Sequence, residues 1–150
     1  MGHMTAVAEL NNAKKNTSAR KNTILLVDDE SAITLLFELE LTRKGYYVMT
    51  ASNAQEARRI ATEFQSTIDV LVADWRMPDM TGDQLARNLL VQRPNLKVVL
   101  MSGYPEADAV CRAFHEDQLV FLHKPFGTAE LNETIQRLLG LSGKPDSQVA

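Results

Sequence analysis

A single cysteine, Cys111, among 150 residues leaves no internal disulfide framework and fits a reducing compartment, so the expected location is cytoplasmic. The longest apolar runs are four to six residues, far short of the roughly 20 that a membrane helix needs. Neither sign of charge dominates. A net charge of −3 and a pI near 5.6 provide no electrostatic footprint for nucleic acid. Histidines are few, and neither His115 nor His123 has a partner at metal-ligand spacing. His3 belongs to Met1-Gly2-His3-Met4, which reads as a cloning remnant and is set aside. No signal peptide is visible, because Ala6 to Leu10 is too short and lacks a preceding basic region.

What remains suits one domain with a sizeable core, at 45% hydrophobic residues and without internal repeats. Residues 1–22 read as remnant and polar tail, 23–139 as the domain, and 140–150 as a flexible C-terminal tail. Ile24 to Val27, Val70 to Ala73, Val98 to Met101 and Leu119 to Leu122 are short apolar runs, expected as strands buried on both faces. Tyr46 to Ala51 is more mixed and is expected at a sheet edge. Between the strands lie helical patterns. Ser31 to Lys44 ends at Gly45, a natural C-terminal cap. Ser52 to Gln55 and Thr81 to Gln84 have capping-box form. Ala107, Val110, Cys111 and Phe114 mark a fourth helical face, and Cys111 there reads as core. Thr128 opens a fifth helix with Leu131, Ile135 and Leu138 inward. Five strands alternating with five helices predict an α/β fold, a doubly wound parallel sheet covered on both faces.

Polar residues then collect at the strand ends: Asp28 and Asp29 after the first, Asp74 after the third, Ser102 after the fourth, Lys124 after the fifth. In a parallel sheet these lie along one edge, where open α/β sheets bind ligands. Alone, each has a plain reading: a helix N-terminal charge, a turn hydroxyl, a solvated ammonium. Together they are a site. Three clustered carboxylates repel unless a cation sits among them, and oxygen-only ligands beside phosphate chemistry suit Mg²⁺. An ammonium and a hydroxyl complete what a transferring phosphoryl group requires, with Asp74 as nucleophile and an acyl phosphate as product.

Val27-Asp28-Asp29-Glu30, Asp74-Trp75-Arg76-Met77-Pro78-Asp79-Met80-Thr81-Gly82, Met101-Ser102-Gly103 and Lys124-Pro125-Phe126 together resemble the motif set of receiver domains from two-component signalling. The resemblance covers residues 23 to 139. It implies a flavodoxin-like fold with strand order 2-1-3-4-5, and phosphorylation of Asp74 by a histidine kinase or a histidine phosphotransfer protein. It also implies Mg²⁺ on Asp29, Asp74 and the backbone carbonyl of Arg76, with Asp28 helping. Ser102 and Lys124 would grip phosphoryl oxygens, Phe121 would be the aromatic switch, and Lys124-Pro125 would be cis. Many receivers carry Thr and Tyr where this chain has Ser102 and Phe121; Phe121 lacks the phenol hydroxyl.

Two other classes compete. A haloacid-dehalogenase-type phosphatase would want a second Asp where Arg76 stands, and a flavin module would want a phosphate loop where Asp28-Asp29-Glu30 stands. No second domain is read after Gly140, so a free-standing receiver and one cut from a hybrid kinase are both compatible with the polar flanks. The helix from Ser31 shows two apolar stripes. Ile33, Leu36, Phe37 and Leu41 are expected in the core. Ala32, Leu35 and Leu39 form the second, expected exposed beside the acidic residues as a docking surface for a phosphodonor helix or a second copy. The alternative cover is the N-terminal tail, through Val7 and Leu10.

Overall fold

The computed structural model describes residues 20–105, 109, 112 and 114–141. Its elements in chain order are β1 (Thr23–Val27), α1 (Ser31–Arg43), β2 (Tyr47–Ala51), α2 (Ala54–Glu63), β3 (Val70–Asp74), α3 (Gly82–Gln92), β4 (Lys97–Ser102), β5 (Leu119–His123) and α4 (Thr128–Leu139). The five strands pair in parallel in the order β2-β1-β3-β4-β5. Four helices lie among the described residues, against five expected. Of the expected fourth, Ala107, Val110 and Cys111 are outside those residues, as are Val7 and Leu10.

The central strands are apolar throughout because both faces are covered. In β1, Leu25 and Val27 point to one face and Ile24 and Leu26 to the other, all fully buried. In β3, Leu71 and Ala73 oppose Val70 and Val72 in the same way. Ala57, Ile60 and Phe64 of the α2 region and Leu85 and Leu89 of α3 close the first face. Phe37 and Leu41 of α1, with Leu131, Ile135 and Leu138 of α4, close the second. β2 is an edge strand, as its mixed polarity predicts.

Three details differ from the sequence reading. Leu36, expected in the core, is 48% exposed, because only Phe37 and Leu41 of α1 point fully at the sheet. The α2 cap is Asn53, one residue after the expected Ser52; its side chain accepts from the Glu56 N–H at 2.8 Å, while Glu56 accepts from the Ser52 N–H. Gly127, not Thr128, precedes α4, and Thr128 is its first residue. The Thr81–Gln84 box stands as expected, with the Thr81 N–H donating to Gln84 at 3.1 Å. Gly45 follows α1 at φ 101°, a left-handed conformation that glycine adopts without a Cβ penalty.

Candidate functional site

Four of the five strands, β1, β3, β4 and β5, deliver the members of the site to the carboxyl edge of the sheet. Asp28 follows β1, and its Oδ1 accepts from the Glu30 N–H at 2.9 Å, turning the chain out of the strand and into α1. Asp74 ends β3 in register with Met101 of β4. Ser102 ends β4 in register with His123 of β5, and the Lys124 N–H donates to the Ser102 carbonyl at 2.9 Å. The Lys124–Pro125 bond is cis.

The side chains converge. One oxygen from each of Asp28, Asp29 and Asp74 lies within 4.8 Å of the others. The Lys124 ammonium sits 3.4 Å from Asp74 Oδ1 and 3.9 Å from Asp28 Oδ2. Asp28 is buried, Asp74 nearly so, and Asp29 faces solvent. Burial pushes the Asp28 carboxyl above the ordinary carboxylate range, against the opposing pull of the Glu30 N–H, and nearby Asp74 adds to the rise. Burial does the same to Asp74, against the opposing pull of Lys124. Asp28 Oδ2 is buried with no hydrogen-bond partner. A desolvated carboxylate oxygen without a hydrogen bond, on a residue clustered with two further carboxylates, is what a divalent cation would satisfy, so the donor set fits Mg²⁺.

Ser102 shares this edge of the sheet, while Phe121 lies in the middle of β5 opposite Leu100, and neither belongs to the carboxylate cluster. The Ser102 hydroxyl oxygen accepts from the Tyr104 N–H at 2.8 Å. Phe121 is half-buried, its ring edge-on to His123 with centroids 4.5 Å apart.

The loop from Trp75 to Thr81 holds more than the sequence reading assigned to it. Arg76 bridges Thr81, and the Gly82 N–H donates to the Trp75 carbonyl at 2.8 Å, so the loop closes on itself. Gly82 is needed there for close approach: a Cβ would sit 2.6 Å from the Asp74 carbonyl oxygen and 2.9 Å from Leu100. The Trp75 indole N–H donates to Asp83 at 3.0 Å. The Arg76 guanidinium lies 4.4 Å from the Tyr104 ring centre. Asp79 leaves the loop to accept from the Ala54 and Gln55 N–H groups of α2 at 3.2 and 2.8 Å. Sequence offered Asp79 and Gly82 as motif letters, but their partners are distant in the chain and carry no local signal.

The model of the response regulator receiver domain matches residues 24–136, nearly all of the described fold. The chain belongs to the receiver-domain family. Sensor kinase CckA of Brucella abortus (strain 2308) is 37% identical over 118 residues, which are 78% of this chain but 12% of that protein. The chain thus spans a small part of that kinase. Sporulation initiation phosphotransferase F of Bacillus subtilis (strain 168) is 28% identical over 79% of this chain and 94% of its own length. Among solved structures, response regulator TrrA from Thermotoga maritima in complex with Mg²⁺ and BeF superposes with a TM-score of 0.65 at 29% identity, over 78% of this chain and 98% of that one. As a receiver domain, the chain is a module of two-component signalling, and its carboxylate cluster lies where the sheet topology of the family presents a ligand. No helix among the described residues is long and apolar enough to cross a membrane.

Proposed function

We propose that this receiver, taken as residues 23–139, accepts a phosphoryl group from a phosphohistidine onto Asp74 and passes the change to a protein-interaction surface. The observation that supports this best is the Lys124 ammonium 3.4 Å from an Asp74 oxygen, within a set of three converging carboxylates. An Asp74 oxygen attacks the phosphorus, the P–N bond breaks as the P–O bond forms, and the electron pair returns to the donor imidazole nitrogen, which takes up a proton. Lys124 neutralises charge on the incoming oxygens as a point cation already in place. Asp28, Asp29, Asp74 and the Arg76 carbonyl would hold Mg²⁺, which supplies further charge neutralisation at the phosphoryl group. The domain transfers one phosphoryl group to itself and later loses it to water, rather than turning over a pool of substrates.

The Ser102 hydroxyl turns from the Tyr104 N–H to a phosphoryl oxygen, and Phe121 moves into the space released. Lacking a hydroxyl, Phe121 acts through packing alone. The donor, a histidine kinase or a phosphotransfer protein met in the cytoplasm, docks on the exposed face of α1. Leu35, Leu36 and Leu39 are 56%, 48% and 55% exposed there, and Leu35 also lines a cleft of about 340 Å³ with Asp28 and Asp29. A second copy of the domain on the same face is the competing occupant.

Incubation with acetyl phosphate and Mg²⁺ should add one phosphoryl mass to the wild type and none to Asp74→Asn. In the same samples, phenylalanine-ring NMR should show the Phe121 resonance shifting on labelling. Wild-type labelling of Asp74→Asn would refute the assignment; an unshifted Phe121 resonance would refute the switch.

A further inference from the structure

Among the loop's residues from Trp75 to Thr81, Asp79 is the acid, and its carboxylate is spent on another element. Both of its oxygens are used, one on the Ala54 N–H and one on the Gln55 N–H. The third first-turn donor of α2, the Glu56 N–H, goes to Asn53. The helix therefore already has a cap of its own, and Asp79 is an additional tie from a segment some 25 residues away in sequence. Desolvation raises the Asp79 carboxyl, but the N–H groups of Gln55, Ala54, Asp79 and Met80 together outweigh it and hold the group below its usual range. The loop itself is braced between Arg76 and Thr81 and between Trp75 and Gly82, so a constraint at Asp79 is passed to the whole of it.

We propose that Asp79 is a positioning residue: by fastening the loop to the start of α2 it holds the Arg76 carbonyl in place for the cation beside Asp74. The inference rests on the Mg²⁺ reading above. A ligand on a free loop would have to be ordered when the cation arrives, which weakens binding, and loss of a supporting partner outside the ligand shell commonly lowers metal affinity roughly 10- to 100-fold. The rival account is that Asp79 only stabilises α2. Asn53 separates the two, because its side chain caps the same helix through the Glu56 N–H rather than through a bond to Asp79.

The test is a Mg²⁺ titration followed by Trp75 fluorescence and by calorimetry, with melting temperatures of the metal-free proteins alongside. Asp79→Ala should weaken Mg²⁺ binding roughly 10-fold or more. Asp79→Asn, which keeps one acceptor oxygen, should recover part of the loss, and it carries the comparison if Asp79→Ala does not fold. Asn53→Ala should lower the melting temperature while leaving Mg²⁺ affinity unchanged. Wild-type affinity in the Asp79 variants overturns the inference, as does an equal loss of affinity in Asn53→Ala. Asp29→Ala distinguishes the levels. If it weakens binding while Asp79→Ala does not, this inference alone fails; if Asp29→Ala also titrates as wild type, the cation reading fails and takes the inference with it.

Discussion

Asp28 and Asp74 are held in a way that costs folding energy at neutral pH. Burial raises both carboxyls above the ordinary value of 3.8, so their contribution to stability is complete below that value and is lost as pH rises through the raised folded value. Above that raised value and without a cation they are charged, desolvated and close together. Asp28→Asn keeps a carbonyl oxygen for the Glu30 N–H and removes one of the charges. The metal-free melting temperature at pH 7 should therefore rise, by roughly 4 °C if the gain is about 1 kcal/mol. A fall on calorimetry would show that the Lys124 contact outweighs the burial. Gly82 is constrained differently. Alanine there gains helix propensity worth at most about 1 kcal/mol, but its Cβ would meet backbone at Asp74, and such overpacking costs about 1–3 kcal/mol. Gly82→Ala should thus lower the denaturation midpoint; an unchanged midpoint would mean the loop can shift freely. The acid cluster could be anticipated because each member ends a legible strand. The need for Gly82 could not, since its neighbour at Leu100 comes from another strand.

At the scale of elements, α1 shows how periodicity can mislead by one residue. Successive helical residues are about 100° apart, so Leu36 lies well round the helix from Phe37. The sequence pattern joined Leu36 to the core stripe because Ile33, Leu36, Phe37 and Leu41 follow the i, i+3, i+4, i+8 spacing of a core face. In the fold the buried arc is narrower and centred on Phe37 and Leu41, with Phe37 stacked on Phe126 at 5.6 Å. Leu36 therefore joins Leu35 and Leu39 outside, making the exposed apolar face wider than the two-stripe reading allowed. Replacing Leu35 and Leu39 together by Asp should leave the circular dichroism spectrum and acetyl-phosphate labelling intact while slowing transfer from a phosphohistidine protein at least tenfold, about 1.4 kcal/mol. Unchanged transfer would remove α1 as the docking face. Helix α2 carries a related lesson. Its ends are held from afar, by Asp79 at the first turn and by the Arg93 guanidinium on the Ala61 and Phe64 carbonyls at the last. Its own cap was legible to within one residue; these remote partners were not.

For the molecule as a whole, the alternation of strands and helices was legible because fully buried strands must be apolar on both faces and the covering helices on one. Periodicity could not order the strands. The order β2-β1-β3-β4-β5 followed from the motif resemblance, and the pairing bears it out. That order places β1 and β3 side by side at the centre, which brings Asp28 and Asp74 together, with β4 and β5 bringing Ser102 and Lys124 to the same edge.

Trapping the acyl phosphate tests the central claim most directly. The domain is incubated with acetyl phosphate and Mg²⁺, reduced with borohydride, digested and sequenced by mass spectrometry. Borohydride converts a phosphorylated aspartate to homoserine, and the account predicts that conversion at position 74 alone, dependent on Mg²⁺. Homoserine at 28, 29 or 79, or no conversion at 74 under conditions that label the protein, would contradict it.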